Sequence, residues 1–252
     1  MVESTQIAMK NRTGLQMSPT QSKELLETLK GVEGIAAPLS GDGHALAEMR
    51  SAYCAEADPL GTMPAPTSLK GVAKNGAKML TGKRPQVLLD KLAERAAFER
   101  GGTRLYEGIL VKLGSEARAS ADGIPEDLTE TVLTQIRDQE AEHFRLVTEC
   151  IEQLGGDPTA QTPSADLVGI ESMGLIQTVS NPSTTLAQSL HAALAAELID
   201  HDGWELLIKL AQEMGDSPMV SRFNDALREE GEHLRRVRSW YEQLTLTDGG
   251  VA

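Results

Sequence analysis

Two Glu-x-x-His motifs are the residues in this chain best placed to do chemistry: Glu140 and His143 in RDQEAEHFRLV, and Glu230 and His233 in LREEGEHLRRV. Each lies downstream of a block with a lone glutamate, Glu99 in FERGGTRLYEGI and Glu197 in AELIDHDGWELL. Laid over each other, the two halves align Glu99 with Glu197, Tyr106 with Trp204, Glu107 with Glu205, Glu140 with Glu230 and His143 with His233. Three residues apart on an α-helix, Glu and His project about 60° apart, so one carboxylate oxygen and one imidazole nitrogen reach a single ion. A glutamate from each of two further helices completes the set with which a four-helix bundle holds two metal ions in its core. Four carboxylates and two imidazoles suit iron or manganese, and zinc fits the same donors without redox chemistry. A single Glu-x-x-His is weak, because charges at that spacing are common on solvated helix faces. Here all six residues fall on the apolar stripes of their helices, where unpaired carboxylates are costly.

The elements that must position these groups are long helices. PQVLLDKLAERAAFERGGTRLYEGILVKLG predicts a first helix from Pro85 to a stop at Gly114, with Leu88, Leu92, Ala96, Glu99, Thr103, Tyr106 and Leu110 as its inward stripe. Pro125 opens a second helix that ends at Gly155-Gly156. Residues 157–182 form a long connection with a short helix of its own, a crossover that lets the third helix start at the far end of the bundle. Asn181 before Pro182 reads as the cap of that third helix, and Ser217-Pro218 starts the fourth. The tail, 247–252, is expected to fray. The domain reading is therefore an all-α four-helix bundle over 85–246, preceded over 1–84 by an irregular arm with short helices.

That arm is broken by Gly and Pro, with short helices expected over 18–31 and 43–57. Over 68–84, Lys70, Lys74 and Lys78 share one face, either a docking patch for acidic surface or a solvated one. The composition of the 252 residues, 40% hydrophobic but only 3% aromatic, favours helices packed through aliphatic side chains. A net charge of −13 argues against nucleic acid as a partner. No apolar run is long enough for a membrane span, no basic-then-apolar leader is visible, and Cys54 and Cys150 form no C-x-x-C, so the expected compartment is the cytoplasm. Whether the two cysteines pair is left open.

On these motifs the chain resembles the ferritin-like superfamily, most closely its rubrerythrin-type and bacterioferritin-type di-iron bundles. The resemblance covers about residues 85–245. Glu197 and Glu230 are 33 residues apart, the spacing of those families, whereas Glu99 and Glu140 are 41 apart, implying an eight-residue longer loop around 115–124. Glu107 would restore 33, but Glu99 keeps both the aromatic seven residues on and its repeat partner. The resemblance implies two iron ions held by Glu99, Glu140, His143, Glu197, Glu230 and His233, and an oxygen or peroxide reaction. Rubrerythrins add a glutamate three residues after the third-helix ligand, where this chain has Asp200, and a rubredoxin-like domain, which is absent, so an external electron donor is implied. His201 is either an extra nitrogen ligand or a histidine behind the site or on the surface. Tyr106, Trp204 and Asp200 are candidates for groups placed just behind the ligands, with Tyr106 and Trp204 either redox-active there or simply packed near the core. His191 and His44 carry no metal signal. Gly101, Gly102, Gly203 and Gly231 either open a path to the centre, permit a bulge, or allow close packing.

Three functions follow as expectations: a di-iron oxidase, peroxidase or oxygenase of unspecified substrate; iron oxidation with storage or delivery; and a non-catalytic helical interaction module. A homo-oligomer is expected in the first two.

Overall fold

The computed structural model describes residue 27 and residues 44–57, 85–119 and 123–250, and all regular structure among them is helical. The chain divides into two compact units, Met1–Pro59 and Leu60–Ala252. In the first, α1 (His44–Glu56) is the short helix expected over 43–57. The helix expected over 18–31, apart from Glu27, and the lysine face at 70, 74 and 78 lie outside the described residues.

The second unit holds the bundle: α2 (Pro85–Ala119), α3 (Glu130–Gln153), α4 (Pro163–Glu171), α5 (Met173–Ser180), α6 (Leu186–Met214) and α7 (Ser217–Asp248). Several boundaries move from their expected places, each for a local reason. α2 continues through Gly114 to Ala119 because an isolated helical glycine weakens a helix without ending one. α3 starts at Glu130 rather than Pro125, since the Thr129 side chain accepts the Val132 N–H, while residues 125–128 form a turn closed by Leu128 N–H to Pro125 C=O. The third bundle helix, α6, is capped by Thr185 in a capping box with Gln188. Asn181 instead ends α5 and accepts the Ser183 N–H. The connection carries two short helices where one was expected, and α7 stays helical through Thr247 and Asp248.

Ten residues (120–129) join α2 to α3, whereas only Gly215 and Asp216 join α6 to α7. That difference of eight accounts for the two ligand spacings, 41 and 33. The shorter turn needs Gly215 in the left-handed region, at φ 72°.

Chain direction can be read from the core. One apolar cluster contains Leu88 and Leu92 of α2, Val147 and Ile151 of α3, Leu207 and Ala211 of α6, and Met219 and Phe223 of α7. The other contains Tyr106 and Ile109, Leu133 and Ile136, Leu190 and Ala193, and Val237 and Trp240 of the same four helices. α2 and α7 run from the first cluster to the second, and α3 and α6 run back. The parallel pair, α3 and α6, is what the α4–α5 crossover makes possible. Between the clusters every helix places its charged residues: Glu99, Glu140 and His143, Glu197 and Asp200, Glu230 and His233. No described helix is long and apolar enough to cross a membrane.

Candidate metal centre

All six expected ligands are at least 97% buried: Glu99 and Glu230 are fully buried, Glu140 and His233 are 1% exposed, Glu197 is 2% and His143 is 3%. Their donor atoms form overlapping groups within 4.8 Å: Glu140, Glu197, Glu230 and His233 in one, and Glu99, His143 and Glu230 in another. Glu230 belongs to both and so bridges the two half-sites. A third group joins Glu99, Glu140 and Glu230 to Asp200.

The imidazoles are aimed by their outer nitrogens. His143 Nε2 meets Glu229 Oε2 at 2.9 Å, and His233 Nε2 meets Gln139 Oε1 at 3.0 Å. A carboxylate or amide oxygen only accepts, so each Nε2 carries the proton and each Nδ1 turns its lone pair inward. The two supports are repeat-related: each sits immediately before the glutamate of its Glu-x-x-His motif and serves the histidine of the other helix. His143 Nδ1 lies 2.6 Å from Glu230 Oε1, and His233 Nδ1 lies 3.3 Å from Glu230 Oε2 and 3.4 Å from Glu140 Oε1. None of these inner atoms has a hydrogen bond of acceptable geometry. Eight buried donors lack such a hydrogen bond: both oxygens of Glu99 and of Glu230, one each of Glu140 and Glu197, and Nδ1 of both histidines. Orphaned polar atoms at this density are not tolerated in a dry core unless something binds them. The donor set fits divalent metal ions.

The electrostatics of the metal-free cluster agree. Burial, with Asp200 and Glu140 nearby, pushes the Glu99 carboxyl well above the usual range, and burial beside Glu230 and Glu140 does the same to Glu197. Burial alone would lower His143, but contact with Glu230 raises it to about 9. Burial alone would raise Glu230, but His143 and His233 hold it at about 2. These shifts favour protons on Glu99, Glu197 and His143.

The residues behind the ligands have distinct contacts. Tyr106 donates its hydroxyl to Glu197 Oε1 across the bundle, and Trp204 meets the His143 ring edge-on at 5.4 Å. Asp200 is 2% exposed and forms an ion pair with Arg95. Glu107 is exposed, so the register that puts Glu99 in the centre is the one observed. His201 is half-buried and outside the converging groups. His191 is exposed, against the Tyr241 ring. Cys54 and Cys150 are both free.

Residues 127–247 match the family model of the ferritin-like domain. Over that stretch the chain carries a ferritin-like domain. No curated protein and no solved structure matches it. The matched stretch spans α3 through α7 and includes Glu140, His143, Glu197, Glu230 and His233, and α2 with Glu99 precedes it.

Three further side chains at the centre, Gln139, Glu229 and Arg95, belong to no motif. Gln139 and Glu229 were legible as a repeat-related pair. Arg95, one turn before Glu99 on the same stripe, is 2% exposed and stacks over Phe98 at 4.8 Å. The glycines also divide by role. A Cβ at Gly102 would lie 2.1 Å from Glu140 Oε2, and one at Gly203 would lie 1.7 Å from an Arg95 guanidinium nitrogen. At Gly101 and Gly231 a Cβ would meet nothing within 4 Å. Two of the four therefore make room for charged side chains at the centre. Gly101 lines a groove of about 530 Å³ between α2 and the crossover, with Arg100 and Arg104 at its edge. The groove shares Gly101, Ser172 and Ile176 with a gap of about 10 Å³ beside Gly102, room for about one water.

Proposed function

We propose that this ferritin-like protein is a di-metal carboxylate oxidoreductase, with iron as its metal, that reacts with oxygen or peroxide. The supporting observation is the set of eight buried donor atoms without a hydrogen bond, arranged as two half-sites around Glu230 and sealed between two apolar clusters. Glu99 with His143, and Glu197 with Glu140 and His233, would hold one ion each, with Glu230 between them. A redox-active ion pair bound there supplies the electrons that reduce the oxidant.

The chain's own residues supply the setting. Gln139 and Glu229 fix the imidazole tautomers, so both Nδ1 atoms stay available as donors. The Tyr106 hydroxyl donates to Glu197 Oε1, and burial next to Glu197 raises the Tyr106 pKa well above the ordinary phenol value, so the hydroxyl keeps its proton. The apolar clusters exclude bulk water, and the gap beside Gly102 has room for about one water. An external electron donor and a small homo-oligomer are part of the proposal.

The test is anaerobic Fe(II) titration followed by exposure to oxygen and, separately, to peroxide. The proposal expects two ions per chain, consumption of one oxidant, and a small native assembly. Uptake of many irons per chain into a large cage would point to storage. Binding of no transition metal would refute both readings.

A further inference from the structure

Asp200 has the position and burial of a seventh ligand: it is 2% exposed, and its oxygen lies within 4.8 Å of donor atoms of Glu99, Glu140 and Glu230. It nevertheless spends its carboxylate on Arg95. Arg95 comes from α2, one turn before Glu99, and its guanidinium is packed on three sides. Asp200 accepts from it, the Phe98 ring lies 4.8 Å from it, and Gly203 leaves the space it occupies. Its nearest approach to Glu99 is 3.9 Å, beyond hydrogen-bond reach.

We infer that Arg95 is a positioning residue that withholds Asp200 from the metals and thereby sets the charge and ligand count of the centre. The inference rests on the metal reading above. Four glutamates and two neutral imidazoles carry four negative charges, matched by two divalent cations, and the Arg95–Asp200 pair adds none. Without the carboxylate, the guanidinium is left as an unpaired positive charge beside the ions, with Glu99 the next anion in reach. Without the guanidinium, Asp200 is free to ligate. Gly203 belongs to the device because any side chain there displaces the guanidinium.

The test is Co(II) binding to the full chain by calorimetry, with the d–d absorption spectrum as a second readout and helical circular dichroism as a check on folding. The parent is expected to bind two Co(II). Asp200→Asn should weaken the Glu99/His143 half-site at least tenfold, whereas the double variant Arg95→Met/Asp200→Asn should return to within about threefold of the parent. Arg95→Met alone should still bind two ions, with a changed d–d spectrum as Asp200 joins one of them. If Asp200→Asn does not fold, Gly203→Ala carries the argument without altering any charge. It should weaken binding about fivefold, and adding Arg95→Met should remove that loss. An Asp200→Asn variant that binds like the parent overturns the inference. So does a double variant as weak as Asp200→Asn, or a Gly203→Ala loss that persists without the arginine. A parent that binds no Co(II) would sink the metal reading itself, a separable result.

Discussion

Replacing Gly102 with alanine should move stability and metal affinity in opposite directions. The new Cβ would sit 2.1 Å from Glu140 Oε2 and 2.9 Å from its carboxyl carbon. Ordinary contact begins near 3.4 Å, so the carboxylate must retreat by roughly 1.3 Å. Ligand constellations tolerate about 0.5 Å, and displacements near 1 Å cost on the order of 100-fold. Gly102→Ala is therefore expected to weaken divalent-cation binding about 100-fold, equivalent to about 2.7 kcal/mol. Alanine in a helix interior is also favoured over glycine by about 1 kcal/mol. Once Glu140 has moved aside, the metal-free variant should be no less stable than the parent. Gly101→Ala is the control on the same turn, because nothing lies within 4 Å of its Cβ. It should gain about 1 kcal/mol and bind metal normally. Calorimetric titration with Mn(II) or Co(II), paired with urea unfolding of the metal-free proteins, measures both quantities. Equal affinity in Gly102→Ala and parent, or an equal loss in Gly101→Ala, would show that Glu140 does not ligate from this position.

Glu230 is common to every converging group, so Glu230→Gln should reduce stoichiometry below one ion per chain while Glu197→Gln retains one, as read by metal analysis after desalting. Gln139→Leu and Glu229→Leu each remove the acceptor that aims one imidazole, and each should lower metal affinity 10- to 100-fold with little change in helical content. The metal-free protein should lose stability as pH rises. His143 is raised from 6.5 to about 9, so its contribution is complete below pH 6.5 and gone above 9. Glu99 and Glu197, whose pKa values are also raised, resist ionisation in the fold and push in the same direction. Urea midpoints between pH 6 and 9 should fall without metal and stay flatter with it, and a rising metal-free profile would contradict the assignment of protons to Glu99, Glu197 and His143.

The six converging residues could be read from the chain because a duplicated helix pair repeats chemistry at fixed steps. Glu99 was distinguishable from Glu107 by its aromatic seven residues on and its partner Glu197, and the structure buries one and exposes the other. Helix ends were less legible. The Thr129 and Thr185 caps won over the nearby Pro125 and Asn181 signals because side-chain bonds to free backbone N–H groups outweigh a residue's mere compatibility with a first turn.

What the linear chain determined is whatever repeats along one helix: the spacing of the ligands, the stripe that carries them inward, and the crossover that a long link permits. What only the packed bundle decided is whatever needs two helices at once. Glu230 became common to every converging group, Gln139 and Glu229 became supports for the opposite histidine, and Arg95 paired with Asp200. Helical periodicity states which face a side chain occupies, whereas a contact between faces depends on the rotation and height of each helix, which the core packing sets.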